Sequence, residues 1–242
     1  MAESRILQEP EAASGPIEAI PLATQSAGVV DAPAEAAADP TTAPTEAAAA
    51  ETAATEAPAE ASSGATVVFT IDQSASQVRF QLDEDLRGER KTVVGTTDQV
   101  AGQLSLNFAD LSQVQVGTIQ INARTLATDN NFRNRAIQNE ILDTDSFEFI
   151  TFTPTGIEGL PASAAVGDTV SFSLVGDLTI RDITMPATFA VEATVVSDSQ
   201  ITGSATAIVN RAEYDLQIPS VPNVANVEEE VELYIDFTAN AS

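Results

Sequence analysis

From Val67 onward, apolar and polar residues alternate with a period of two, a pattern that dictates strands with one dry and one wet face. Val67, Phe69 and Ile71 share one face of a strand, and Val78, Phe80 and Leu82 share a face of the next. Val100, Gly102, Leu104, Leu106 and Phe108 alternate with Gln99, Ala101, Gln103, Ser105 and Asn107, and Ile119 and Ile121 continue the pattern. Further series run through Val170–Ile180, Phe189–Val195, Ile201–Val209 and Val231–Phe237. The short polar linkers Arg181–Asp182 and Ser197–Gln200 predict hairpins between the C-terminal strands. About eight long strands with one apolar face close naturally into an antiparallel barrel, which removes exposed edges; a two-sheet sandwich satisfies the same pattern. One segment departs from it. Between Asn130 and Leu142, Phe132, Ala136, Ile137 and Ile141 recur at helical spacing behind Thr128 or Asp129 as N-cap, which predicts one short helix placed as a lid or plug.

Residues 1–65 read differently. They carry eleven acidic side chains, one basic one (Arg5) and no aromatic residue, so they cannot bury enough apolar surface to offset the entropy of ordering them. All ten Phe and both Tyr lie in residues 66–242, which form the expected folded domain. The Ala/Pro/Glu/Thr stretch from Val30 to Ser63 is a spacer by composition, with Pro33, Pro40, Pro44 and Pro58 interrupting any helix and 46–57 retaining some helical tendency. At roughly 3 Å per residue in the polyproline limit it reaches on the order of 100 Å, which suits a tether; a solubilising tail has the same composition. Upstream, Ile17, Ile20 and Leu22 form a small apolar cluster, read as a flexible flank or a docking peptide.

The inventory of side chains excludes several chemistries. The chain has no Cys and no His, which removes disulfides, thiolate nucleophiles, Ser-His-Asp and Cys-His catalysis, and zinc hydrolysis. With a net charge of −26 and Lys91 as the single lysine, no cationic surface is available to displace counterions from a nucleic acid. The acidic runs Asp83–Asp85 and Glu228–Glu230 match no calcium loop and read as solvated turns. Asn240–Ala241–Ser242 fits the N-glycosylation pattern at a chain end. No apolar run has the length of a membrane span or a leader, so the reading is either a cytosolic chain or one whose leader or membrane anchor has been removed from its N-terminal side.

Several segments resemble the YceI-like family of lipocalin-like, polyisoprenoid-binding proteins over roughly Val67–Ala239. FTIDQSASQVRFQL is similar to the family's opening strand pair, and VVGTTDQVAGQLSL to its V-x-G…G-x-(apolar) stretch. TLATDNNFRNRAI followed by FEFITFTPTGI resembles its Thr–Arg–helix segment and the apolar strand with Phe and Pro. GDLTIRDITMPATF resembles its G-x-L-T-(apolar)-x-x-(apolar)-T-x-P hairpin, the most specific match. Two departures stand out: Arg133–Asn134 where the family often has Arg-Asp, and Phe69 where it often has Trp or Tyr. The resemblance implies an all-β fold, an extended eight-stranded lipocalin-like barrel enclosing a long isoprenoid-like lipid, an extracytoplasmic location and no catalysis or cofactor.

On this reading Phe69, Val78, Phe80, Leu104, Leu106, Ile119, Ile121, Phe149, Phe172, Leu174 and Phe189 are the candidate cavity walls. A barrel of this size also packs solid, so periodicity alone leaves the interior open between core and container. Gly102, Gly176, Gly203, Ala205 and Ala207 on inward faces favour room inside. Arg124, Arg133, Arg135 and Arg211 are the candidate head-group residues, because a guanidinium recognises phosphate or carboxylate in bidentate fashion; the many acids around them offer ion pairing instead. The competing function is a structural or protein-interaction module with a packed barrel.

Overall fold

The long alternating runs become long strands. In a computed structural model, residues 8–22 and 64–242 are described; the Ala/Pro/Glu/Thr spacer and its helix-prone stretch at 46–57 lie outside the described residues. The strands in chain order are β1 (Val67–Ile71), β2 (Gln77–Leu86), β3 (Glu89–Thr97), β4 (Val100–Ala101), β5 (Gln103–Asn107), β6 (Asp110–Val116), β7 (Ile119–Asn122), β8 (Phe149–Glu158), β9 (Thr169–Ile180), β10 (Ile183–Ser197), β11 (Gln200–Asn210), β12 (Val224–Ala225) and β13 (Glu230–Ala241). All pairings are antiparallel, and β7-β8-β9-β10-β11-β13-β1-β5 follow one another around a strongly curled sheet. The architecture is the expected all-β, lipocalin-like one.

Thirteen stretches replace the eight read from alternation: the series Val100–Phe108 is divided into β4 and β5, and β3, β6, β8 and β12 are added. A 3₁₀ turn at Gln73–Ala75, capped by the Asp72 carboxylate on the Ser74 amide, bends the first strand. In consequence β13 pairs with β1 at one end (Ile71 opposite Ala239) and with β2 at the other (Val78 opposite Ile235). The division falls at Gly102: β4 pairs with β7 and β5 with β1, so the segment 100–107 changes partners and brings the two ends of the sheet together. A Cβ at Gly102 would stand 3.1 Å from Ile71 and 3.3 Å from Ile119, one from each strand it joins. The extra hairpins are β2–β3, turning at Arg87 (φ 58°) and Gly88 (φ 86°), and β5–β6. Positive φ at both turn residues matches the twist of the flanking strands.

Alternation fixes what faces inward. In the β9–β10 hairpin, Leu174, Leu178 and Ile180 are buried on one strand and Ala187, Phe189, Val191, Ala193 and Val195 on the other. Pro154 in β8 sits beside a register shift between Pro154 and Gly156, a place where its missing N–H does not interrupt the ladder. Two of the inward glycines, Gly176 and Gly203, accept aromatic rings rather than leaving space. A Cβ at Gly176 would meet the Phe152 ring at 2.7 Å and the Thr153 carbonyl at 2.5 Å, and Phe237 lies over Gly203 in the same way. These rings therefore lie against the sheet and do not project across the lumen. Gly176→Val is expected to cost about 1–3 kcal/mol by overpacking, read by chemical denaturation. Gly156→Ala, with nothing within 4 Å, is the matched control and is expected to change stability little.

The helix is shorter than the sequence predicts. Helix α1 covers Asn131–Ala136 and passes into a single π-helical turn at Ile137–Ile141. Its N-cap is Asn130, whose Oδ1 accepts from the Phe132 and Arg133 amides at 2.9 and 3.2 Å. Thr128 and Asp129, the expected caps, are used otherwise: Thr128 donates its amide and hydroxyl to Asn134 Oδ1, both at 2.7 Å, and Asp129 pairs with Lys91 and Arg133.

Residues 8–22, expected as a flank, run without helix or strand along the domain and belong to the same compact unit as 64–242. The reason is local: Ile17 is only 8% exposed, and Leu22 abuts Gly117.

Candidate functional site

The inward faces of β2, β8, β9 and β13 converge on a cavity of about 480 Å³. Val78 and Phe80 line it from β2, Ile150 and Phe152 from β8, Leu178 and Ile180 from β9, and Leu233 and Ile235 from β13. Phe152 and Phe189 meet edge to face in its wall, with ring centres 4.8 Å apart. Ala136, Ile137 and Ile141 close it from the lid formed by α1 and the π turn. Leu216, Ile218 and Val221 close it from the loop before β12. The wall is almost wholly apolar, so water inside would find few hydrogen-bond partners and an apolar guest would displace it without penalty. A second cavity of about 110 Å³ lies between β5, β6, β9 and β10, lined by residues such as Leu104, Leu106, Phe172 and Ala193.

The candidate walls thus fall in three places. Val78, Phe80, Ile121 and Phe189 line the large cavity. Leu104, Leu106, Ile119, Phe172 and Leu174 line the small one. Phe69 lines neither: it is fully buried in a separate packed cluster with Leu106 and Leu111, edge-on to Phe108. Phe149 also lines neither, because Ile150 and Phe152 take the inward positions of β8 and put Phe149 on the other parity.

Of the four candidate head-group arginines, Arg133 and Arg211 reach the large cavity and Arg124 and Arg135 do not. Arg133, on the lid, binds Glu84 of β2 at 2.7 Å and Asp129 at 2.5 Å. Glu84 is inward-facing and 5% exposed, so its charge sits in the apolar wall with the lid arginine as its counter-ion. Lys91 of β3 completes the network through Asp129, whose carboxyl is held below its usual range by the hydrogen bond from Lys91 and then by Arg133. The lid is latched to the β2–β3 hairpin by these charges and by the paired backbone of Thr96 and Ala127. Asn134 does with its amide oxygen what a carboxylate would do there, ordering the turn into α1 through Thr128. Arg133→Met is expected to speed amide exchange across 131–136 roughly tenfold, as one charge-assisted bond is lost. Unchanged exchange would show that the latch is idle.

Arg211 donates to three main-chain carbonyls, from Nε to Glu228 at 2.9 Å, from Nη1 to Leu216 at 3.0 Å and from Nη2 to Val227 at 3.4 Å. It thereby shapes the loop that roofs the cavity. Tyr214, in the turn beside it, is buried, and burial with the nearby Glu213 pushes its phenol up to about 12. Among the described residues no acidic group is arranged to hold a metal ion, and no helix is long and apolar enough to cross a membrane.

Sequence periodicity missed the roof from 216–227, where Ile218, Pro219, Val221 and Pro222 have no repeating spacing. It missed Glu84 because an acidic run reads as a solvated turn. The one usable signal was parity, since Glu84 shares the inward face of Val78, Phe80 and Leu82.

Two solved structures share this arrangement. A polyisoprenoid-binding domain from Saccharophagus degradans, implicated in plant cell wall breakdown, superposes with a TM-score of 0.57 at 14% identity, covering 73% of this chain and 99% of its own. BcnA from Burkholderia cenocepacia superposes with a TM-score of 0.53 at 18% identity, covering 70% of this chain and 99% of its own. At these identities the likeness is one of fold. Among curated proteins no sequence matches the chain. The model of the YceI-like domain matches residues 69–239, and the chain belongs to that family.

Proposed function

We propose that this YceI-like domain binds a long apolar chain of polyisoprenoid or isoprenoid-quinone type in the cavity beneath the lid. It acts as a non-enzymatic carrier or sequestering protein outside the cytoplasm, with residues 23–63 as its spacer. The observation that carries this reading is the cavity itself: about 480 Å³ of apolar space in an interior that side chains of ordinary size would fill. Each buried methylene contributes about 0.8 kcal/mol, so roughly twenty of them offset even the upper end of an association cost of ~4–15 kcal/mol. The polyisoprenoid-binding domain of the same fold supports the ligand class. Val78, Phe80, Ile121, Phe152, Leu178 and Phe189 hold the tail. Of the charged groups at the cavity, Glu84, Arg133 and Arg211 are already engaged by the protein, whereas Arg79 stacks on Tyr234 and keeps a buried Nε without a hydrogen-bond partner among the described residues.

Extraction of the purified protein with organic solvent followed by mass spectrometry tests the proposal. A long-chain lipid in stoichiometric amount is expected. A clean extract, together with failure to bind an added long-chain probe, would favour a packed scaffold that binds protein on its outer face.

A further inference from the structure

The segment 8–22 meets the domain at two separate points, through exposed and part-buried hydrogen bonds and the buried Ile17 side chain. At its start the Gln8 carbonyl accepts from Asn139 of the π turn at 3.0 Å, and the Glu11 amide donates to Asp145 at 3.1 Å. Both partners belong to the lid or to the chain leaving it. Arg124, in the 3₁₀ turn Ala123–Thr125 after β7, joins the two layers. Its side chain is 10% exposed. It donates to the Thr144 and Asp145 carbonyls on the lid side, at 2.9 and 3.2 Å. On the other side it donates to the Ala12 carbonyl and the Glu11 carboxylate, at 3.2 and 3.1 Å, and it pairs with Glu148 at 3.1 Å. Ser14 donates its amide to Glu148 at 2.8 Å and its hydroxyl to the same carboxylate. Beyond this polar cluster, Ile17 is buried and its carbonyl accepts from Gln73. Leu22 ends against Gly117, beside the segment 100–107 that closes the sheet.

We infer that residues 8–22 are an intramolecular strap that pins the rear of the lid, so that exchange of cavity contents requires the strap to release. Three things support this. Removing the strap would strip Arg124 and Glu148, both mostly buried, of two hydrogen bonds each, which favours an occupied groove. The strap touches the C-terminal half of the lid (Asn139) and the chain following it (Asp145), while the Arg133–Glu84 latch holds the N-terminal half, so the lid is fastened at both ends. The groove is filled by the chain's own segment, with an apolar anchor at Ile17. Burial opposes the charge of Glu148, but the Ser14 hydroxyl and amide, the Asn122 amide and Arg124 outweigh it and hold the carboxyl below its usual range. With Glu11 and Asp145 as the other charges in the cluster, this part of the docking is present above the ordinary carboxylate range and is lost as pH falls through the lowered value.

The lid function rests on the cavity reading, and the test separates the two. The full-length protein is compared with Ile17→Asp, which removes the buried anchor, and with Ile20→Asp, a half-exposed neighbour in the same segment. Hydrogen exchange is read without ligand, and dissociation of a fluorescently labelled long-chain alcohol is read with it. Protection of 8–22 in the parent, its loss in Ile17→Asp only, and faster exchange at 137–148 in that variant are expected. Probe dissociation is expected to speed by at least about tenfold, the scale of one buried aliphatic side chain. Exchange of 8–22 at the unprotected rate in the parent would overturn the strap. Equal probe dissociation with the strap released would overturn its hold on the lid. If the probe binds no variant, the cavity reading fails, and exchange at 137–148 alone decides the strap: acceleration sustains it and no change overturns it. A mass that doubles with concentration in the parent and not in Ile17→Asp would place the strap in a second copy, overturning the intramolecular assignment.

Discussion

Val209→Trp is expected to weaken binding of a long-chain apolar probe roughly fiftyfold while leaving the melting temperature unchanged or slightly raised. Val209 is half-buried at the inward face of β11, opposite Val231, and lines the large cavity. An indole there occupies space that at least three methylenes of a guest would take, at about 0.8 kcal/mol each. The fold should accept the change, because a side chain that grows into a void gains contacts instead of straining its neighbours. Fluorescence titration with the probe and scanning calorimetry give the two numbers. Undiminished binding with an intact fold would mean that the guest is held elsewhere, and the cavity reading would fall.

Phe152→Ala should be among the most damaging single substitutions in the domain. The ring is 1% exposed, lies over Gly176 and meets Phe189 edge-on. Loss of a buried Phe costs about 3–5 kcal/mol, a large share of the ~5–15 kcal/mol that holds a domain together. At roughly 2–4 °C per kcal/mol for a chain of this size, the melting temperature should fall on the order of 10 °C. Phe132→Ala is the counterpart: that ring is 69% exposed at the cavity mouth, so stability should barely move. A similar small loss at both positions would show that the Phe152 wall is not structural.

What could be read from the sequence follows from how each residue is partnered. β9, β10, β11 and β13 were legible because they are long and have one wet face, and the first three also turn at short polar linkers. β3 was not, because its first half, Glu89-Arg90-Lys91-Thr92, is held by charges across the hairpin: Arg90 pairs with Asp83 and Asp85, and Thr92 bonds Asp83. At the start of β8, Phe149, Ile150 and Phe152 offer apolar residues in both parities, and only tertiary packing selects Ile150 and Phe152 as the inward pair. The inward glycines were visible as small residues, but the rings that come to lie over them are supplied by neighbouring strands, which no local pattern encodes. The arginines were visible as scarce cations; that Arg124 and Arg133 are consumed by Glu148 and Glu84 is decided by contacts between residues far apart in the chain.

The last strand carries a consequence for timing. β13 is the partner of β11, β1 and β2 at once, and Ser242 still donates its amide to the Val68 carbonyl at 3.0 Å. A chain that emerges N-terminus first therefore cannot complete its ring until β13 is free. β1 and β2 must wait, unpaired on that side, through more than a hundred and fifty residues of synthesis. Closure of this domain thus waits for β13, and loss of residues 239–242 would unfasten its first strand.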